Sequence, residues 1–343
     1  MVFSRKLLEI KQRVLQEARP LFQQIEETAE SNTLKVLNAM REVRLSEAHF
    51  TTTSGYAYDD IGRQKLDELY AMVFDAEKAL VRTQFVSGTH ALATVLFGLL
   101  RPGDTLLSVT GVPYDTMQTV IGYAHPSPGS LKEFGISYDE VPLQDGRVDL
   151  TVLSQKVTPK TKVALIQRSR GYSLRPPLTM KNISQICRTI KAIQPHCVCF
   201  VDNCYGEFVN LAEPITAGAD IMAGSLIKNP GGGLAPTGGY IAGKAALVEL
   251  AAYRLTAPGM GDELGASLAN NRLLFAGLFL APHVVSQAMK GAIFAAGVFS
   301  HLGYAVSPAF AERREDIIQA IELKSPKKLI AFCRGLQKYS PVD

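Results

Sequence analysis

Tryptophan is absent from the 343 residues, so any aromatic platform must be built from the 12 tyrosines and 15 phenylalanines. Cysteine is scarce: the five are Cys187, Cys197, Cys199, Cys204 and Cys333. An odd count without framework spacing points to reduced thiols in a reducing compartment. Cys197 and Cys199 alternate along an apolar run and read as small buried hydrophobes, and no second Cys/His pair stands at zinc spacing. Charge of one sign is also lacking. The 36 basic and 32 acidic side chains leave a net +4, and the basic residues are scattered apart from short clusters such as Lys324 to Lys328. That balance gives no footprint for nucleic acid. Neither Gly-x-Gly-x-x-Gly nor a glycine run ending in Gly-Lys-Ser/Thr occurs, which sets nucleotide binding far down the order. Near the N-terminus, Arg5, Lys6, Glu9, Lys11 and Arg13 interrupt any apolar core, so no signal peptide is read there. The longest apolar region, Leu273 to Met289, contains Pro282, His283, Ser286 and Gln287 and reads as a pair of buried helices, not a membrane span. The expectation is a soluble, cytoplasmic protein with no membrane or nucleic-acid partner and no metal site.

What is present is ordinary globular chemistry, 47% hydrophobic and 20% charged, in a chain long enough for two domains. Residues 1 to about 45 have apolar positions near a helical period (Leu7, Leu8, Val14, Leu15, Phe22, Ile25) and no core of their own. Such an arm must lie on the main body or on a second subunit. Residues 49 to 60 are loop chemistry, and a helix follows from Arg63 to Phe74. From Ala79 strands and helices alternate. Strands are expected at 81–86, 105–109, 162–167, 198–201, 221–225 and 239–242, with helices at 90–100 and 179–193. This is the pattern of an α/β protein with a mostly parallel sheet covered by helices on both faces. The remainder reads as helical from about Gly259 to His301, then a strand near 304–306 and a helix around 327–338. The expected division is an arm (1–48), a large domain (49–285) and a small C-terminal domain (286–343).

Three motifs lie just beyond strand ends, where ligands of such sheets bind. Ser87-Gly88-Thr89 opens a helix, where free N–H groups and the helix dipole favour a phosphate, although Ser and Thr are also ordinary caps. Asp202 ends the run Cys197 to Val201 and can pair with a pyridinium nitrogen, or merely form a turn. Lys228 stands between the apolar stretch Ala223 to Ile227 and Gly231-Gly232-Gly233. It can form a Schiff base if its pKa is depressed, or be a solvated loop lysine above a flexible turn. Ser225, three residues earlier, can reach the same phosphate. Tyr114 follows the strand 105–109 and can stack on a ring, with a structural role equally open. His90 and His125 read as packed residues before they read as catalysts. In that order, a phosphate cradle, a pyridinium partner and an amine are what a pyridoxal-phosphate site requires.

With these residues in view, the chain resembles the fold-type I pyridoxal-phosphate enzymes, within them the cystathionine/methionine γ-lyases, and most closely the bacterial aluminium-resistance group. The stretches that carry the likeness are Gly55 to Arg63 (Gly-Tyr-Ala-Tyr-Asp-Asp-Ile-Gly-Arg), Val86 to Ala91, Gln167 to Tyr172, Val201 to Glu207 and Ser225 to Gly233. The resemblance implies that Lys228 carries the cofactor, Asp202 meets the pyridinium, Ser87, Gly88, Thr89 and Ser225 hold the phosphate, and Tyr114 stacks. It further implies that Tyr56, Tyr58 and Arg63 belong to a loop completing a neighbouring subunit's site, in a homodimer or homotetramer. Two departures stand out. The Ser-Gly-Met of the γ-lyases is Ser-Gly-Thr-His here, which leaves the reaction type open. Relatives usually continue some tens of residues beyond Asp343, so the small domain reads as truncated, and the arginine that grips the substrate carboxylate in relatives is not placed. Arg168 and Arg170 are either anion-binding residues or salt-bridge residues.

The expected activity is a lyase acting on a sulfur-containing amino acid. Lys228 removes the α-proton and a tyrosine, with Tyr114 the candidate, protonates the leaving thiol. The alternatives are an aldolase or aminotransferase using the same cofactor, or a cofactor-binding protein with weak catalysis.

Overall fold

The computed structural model describes residues 4–124 and 127–341; His125 lies outside the described residues. In chain order the elements are α1 (Arg5–Glu42), α2 (Ile61–Val73), β1 (Lys78–Arg82), α3 (Gly88–Leu99), β2 (Thr105–Ser108), α4 (Asp115–Ile121), β3 (Ser137–Glu140), β4 (Leu143–Gln144), β5 (Arg147–Val148), α5 (Leu150–Lys156), β6 (Thr161–Gln167) and α6 (Met180–Ile193). There follow β7 (Val198–Asp202), β8 (Ile221–Ser225), β9 (Gly239–Gly243), α7 (Ala245–Leu255), α8 (Asn271–His301), β10 (Ala305–Ser307), β11 (Ala320–Glu322) and α9 (Pro326–Tyr339).

Seven strands form one sheet in the order β1-β9-β8-β7-β6-β2-β3. Pairings among β3, β2, β6, β7 and β8 are parallel, and β9 runs antiparallel to both β8 and β1. The expected α/β architecture, mostly parallel with helices on both faces, is therefore present. Strands buried on both faces must be apolar on both faces. Along β7, Cys199 and Val201 join the core shared with α2, α6 and α8, while Val198 and Phe200 join the core shared with α3, α4 and α7. Burial pushes the Cys197 thiol up to about 12, which suits a packed residue.

The N-terminal arm is a 38-residue helix lying along α8, with Val14, Ala18, Ile25, Val36 and Ala39 buried. Asn32, also buried, donates to the carbonyls of Phe208 (3.0 Å) and Asn210 (3.2 Å), fixing the arm to the turn after β7. The expected pair of helices around Leu273 to Met289 is instead the single helix α8, which runs through Pro282. Its length and apolarity would suffice for a membrane span, but Leu274, Phe275, Leu278, Ala281, Val285, Met289 and Ile293 are core residues here. The boundary expected at 285/286 falls inside this helix.

Candidate active site

The parallel strands β6, β7 and β8 end side by side, Gln167 paired with Asp202 and Asp202 with Ala223. Their carboxyl ends open on a cavity of about 480 Å³ lined by Ser87, Gly88, Thr89, Tyr114, Asp202 and Ser225, with Lys228 at its wall. A separate cavity of about 320 Å³ between α1 and α8 contains none of the candidate residues.

Ser87 caps α3, its hydroxyl accepting from the His90 N–H at 3.1 Å. The N–H groups of the first helical turn have no intrahelical acceptor, and Gly88 and Thr89 in that turn line the cavity. Gly88 packs against the end of β8: a Cβ there would stand 3.0 Å from the Ser225 Cβ. The Ser225 hydroxyl is buried beside it with no hydrogen-bond partner among the described residues. A buried orphan hydroxyl costs about 1–3 kcal/mol, so this one marks a position for an acceptor.

Asp202 is buried and accepts from the Cys204 N–H at 3.1 Å. Burial raises its pKa more than the nearby Lys228 lowers it. No cation lies within 4 Å of it among the described residues. Tyr114 caps α4, with its hydroxyl 3.4 Å from that of Thr89. Burial first, then Asp202, raises the phenol far above its ordinary value, so it stays protonated.

Lys228 departs from expectation. Burial pushes its pKa down, but Cys204, Tyr205, Asp202 and Glu207 together outweigh burial and hold the amine above the usual lysine range. The depressed pKa anticipated for a nucleophile is absent while Asp202 has no other cation to serve. The lysine's turn is rigid, not loose. Gly231 and Gly232 press on α8, where a Cβ on Gly232 (φ +54°) would lie 2.2 Å from the Gly277 carbonyl oxygen. Gly231 and Gly232 thus make a close-approach contact that seats the Lys228 turn against α8.

The structure does not bring Tyr56, Tyr58 and Arg63 to this cavity. Tyr56 and Tyr58 are 74% and 54% exposed. Arg63 is buried and donates to the carbonyls of Ala57 (2.7 Å), Glu263 (2.7 Å) and Gly265 (3.0 Å), so its guanidinium clamps the tyrosine loop to the 263–265 segment of its own chain. Arg168 resolves as a structural ion pair, donating to Asn203 Oδ1 (2.7 Å) and Glu213 Oε2 (3.2 Å) with no solvent access. Arg170 is likewise buried and donates to Ser307 Oγ at 2.8 Å. His90 accepts from the Val86 N–H and packs edge-on against Phe85, a local structural role.

Several cavity residues carry no assigned role in the sequence reading: Gln167, Ser169, Cys204 and Tyr205 lie within its motif stretches, and Thr116 and Ile318 lie outside them. Cys204 and Tyr205 sit in the motif that begins at Asp202, and their place in that turn was the available signal. Ile318 arrives from more than 90 residues beyond Ser225, and no local pattern announces it.

The profile of the methionine gamma-lyase family matches residues 7–343. The uncharacterized protein YnbB of Bacillus subtilis (strain 168) is 50% identical over 325 residues, 94% of this chain and 77% of that protein. The solved structure of a carbon-sulfur lyase involved in aluminum resistance from Clostridium novyi NT superposes with a TM-score of 0.96 at 48% identity, covering 99% of this chain and 82% of that one. L-methionine gamma-lyase of Pseudomonas putida is 27% identical over 241 residues, 69% of this chain and 51% of that enzyme.

Proposed function

The chain belongs to the methionine gamma-lyase family, and from that premise we propose that it is a pyridoxal-phosphate-dependent lyase that cleaves a carbon–sulfur bond in a sulfur-containing amino acid. The observation that supports this best is a set of three unmet needs around one cavity. Ser225 has a buried hydroxyl without an acceptor or donor, Asp202 a buried carboxylate without a cation, and Lys228 an amine without a carboxylate within 4 Å, all among the described residues. The first two are costly alone, whereas the charge of Lys228 is supported by its neighbours and its amine is the group available for a covalent bond. A phosphorylated pyridine aldehyde answers all three at once.

In this reading Ser225 and the first N–H groups of α3 hold the phosphate, with Gly88 allowing the close approach. Asp202 pairs with the protonated ring nitrogen, Tyr114 offers an aromatic face, and Lys228 is the covalent anchor. When bound, the cofactor supplies a conjugated ring that takes up the electron pair released at the substrate's α-carbon. Lys228, when its amine is free, would take the substrate's α-proton on its Nζ. With Asp202 serving the ring nitrogen, one of the groups that hold the lysine charged is occupied elsewhere, so its pKa falls and a larger share of the amine is neutral and free to take a proton. Tyr114, kept protonated by burial, is the donor to the departing sulfur.

A second copy completes the site in this proposal, through the exposed Tyr56 and Tyr58 on the loop that Arg63 clamps. Replacing both by alanine should weaken cofactor retention; unchanged retention and unchanged solution mass would rule it out.

The activity is tested by incubating cofactor-loaded protein with sulfur-containing amino acids and measuring keto acid and thiol. Their release in equal amounts supports the lyase. Amino-group transfer to added keto acids without thiol release would move the assignment to an aminotransferase.

A further inference from the structure

The turn after β7 carries a bulky aromatic residue in a backbone conformation it rarely adopts. Tyr205 has φ +69°, in the left-handed region where a Cβ meets the following carbonyl. Its neighbours impose this. Asn203 is held by its backbone on the Ala223 carbonyl (3.0 Å) and by its side chain on Arg168 and Glu213. Gly206 lies against Arg168, where a Cβ would be 2.6 Å from the guanidinium, and its N–H returns to the Asn203 carbonyl at 2.9 Å. With both ends pinned, Tyr205 must bridge them at positive φ. Strain of this kind persists where the surroundings over-determine it.

The strained residue turns its ring to the lysine. Lys228 Nζ lies 4.1 Å from the centroid of the Tyr205 ring, well inside the range of a cation–π contact. The two turns are also joined directly, Asn229 Nδ2 donating to the Glu207 carbonyl at 2.9 Å. The charged and titratable groups around the ammonium are Asp202, Cys204, Tyr205 and Glu207. None of the carboxylates comes within 4 Å of it among the described residues. The ammonium therefore rests on an aromatic face instead of in a salt bridge. That difference matters for a group that must leave and return. A charge-assisted hydrogen bond resists release more than a cation–π contact does.

We propose that Tyr205 is a positioning residue whose ring seats the Lys228 ammonium whenever that amine is not covalently engaged. The proposal rests on Lys228 being the cofactor's anchor. The seat holds the freed amine beside the cavity without tying its protons to an acceptor, so it can deliver and take a proton and then re-engage.

The test uses the full chain with bound carbonyl compounds removed. Lys228 is acetylated across a pH series, and its modification is quantified by mass spectrometry against the exposed Lys338. Tyr205→Phe keeps the ring, and Tyr205→Gly removes it at a φ that glycine adopts without strain. Tyr205→Phe should match the parent. Tyr205→Gly should lower the Lys228 titration midpoint by about 0.4–1.5 units, which is roughly 2- to 30-fold faster labelling below the midpoint. Equal midpoints in all three proteins, or a Phe variant that behaves like the Gly variant, would overturn the proposal. Cofactor binding is read separately from the visible absorption band. A band without a ring-dependent midpoint overturns the seat alone, whereas a ring-dependent midpoint without a band upholds the seat and refutes the lyase reading.

Discussion

Glu207 is an acid shut away from water, which makes its ionisation a sensitive point for experiment. Its side chain has 0% accessibility and lies in the core beside a second buried acid, Glu213. Oε1 accepts from the Tyr240 hydroxyl at 2.9 Å, while Oε2 has no partner among the described residues. Arg168 pairs with Glu213, and no cation forms a salt bridge with Glu207 among the described residues. Burial above all, reinforced by Glu213 and opposed by its own backbone, Tyr240 and Lys228, pushes its pKa up to about 8 from 4.5. The folded protein therefore keeps a proton that the unfolded chain releases above pH 4.5. Stability from this group is full below that value and is lost as pH rises toward 8. At about 1.36 kcal/mol per unit, the interval amounts to on the order of 5 kcal/mol. Glu207→Gln removes the titration and preserves the shape. Its amide can still accept from Tyr240, and any unmet N–H adds a penalty of about 1–3 kcal/mol that does not vary with pH. Urea unfolding of both proteins at several values between pH 5 and 9 isolates the effect. The variant should gain on the parent steadily from pH 5 to about 8, by several kcal/mol in total, and no further above that. Parallel curves would show that Glu207 ionises normally and would refute this reasoning.

Removing the orphan hydroxyl with Ser225→Ala should leave the cofactor-free chain as stable or slightly more so, since no bond is lost. The same change should weaken pyridoxal-phosphate binding by roughly 10- to 150-fold, the loss of one hydrogen bond to a charged group, as read by fluorescence titration. Gly232→Ala would force a Cβ to within 2.2 Å of the Gly277 carbonyl at positive φ. It should lower stability by about 1–3 kcal/mol or more and loosen the Lys228 turn, visible as a lower melting temperature and poorer cofactor retention. An unchanged melting temperature would mean that the glycine contact with α8 is not tight.

Much of the site is legible in the sequence because strand ends are. Asp202 and Ser225 each close an apolar run whose both-face burial leaves a plain hydrophobic signature, and the structure ends β7 and β8 on those two residues. The first strand was harder. The apolar residues from Val81 to Val86 suggested a strand there, but β1 is Lys78–Arg82, because antiparallel pairing with β9 sets its register from Lys78 opposite Gly243. Beyond Arg82, Phe85 turns in against His90 to prepare the start of α3. Pro282 suggested a break, since proline costs about 3 kcal/mol in a helix interior. In the fold, Leu278, Ala281, Val285 and Met289 around it are buried, and their burial at about 1.5–3 kcal/mol for each large side chain outweighs that cost. β3, with the polar sequence Ser-Tyr-Asp-Glu, sits at the sheet edge, where no apolar alternation is required. The role of Gly231 and Gly232 was invisible because their partner, Gly277, is 45 residues away.

The central claim is that Lys228 anchors pyridoxal phosphate in the cavity between α3 and the ends of β7 and β8. The most direct measurement is the visible absorption spectrum of purified protein, supplied with pyridoxal phosphate, beside that of Lys228→Ala. The account predicts a band of the protein-bound imine in the parent that is lost or shifted in the variant. A parent that develops no such band with the cofactor present, or a variant that keeps the parent's band, would contradict it.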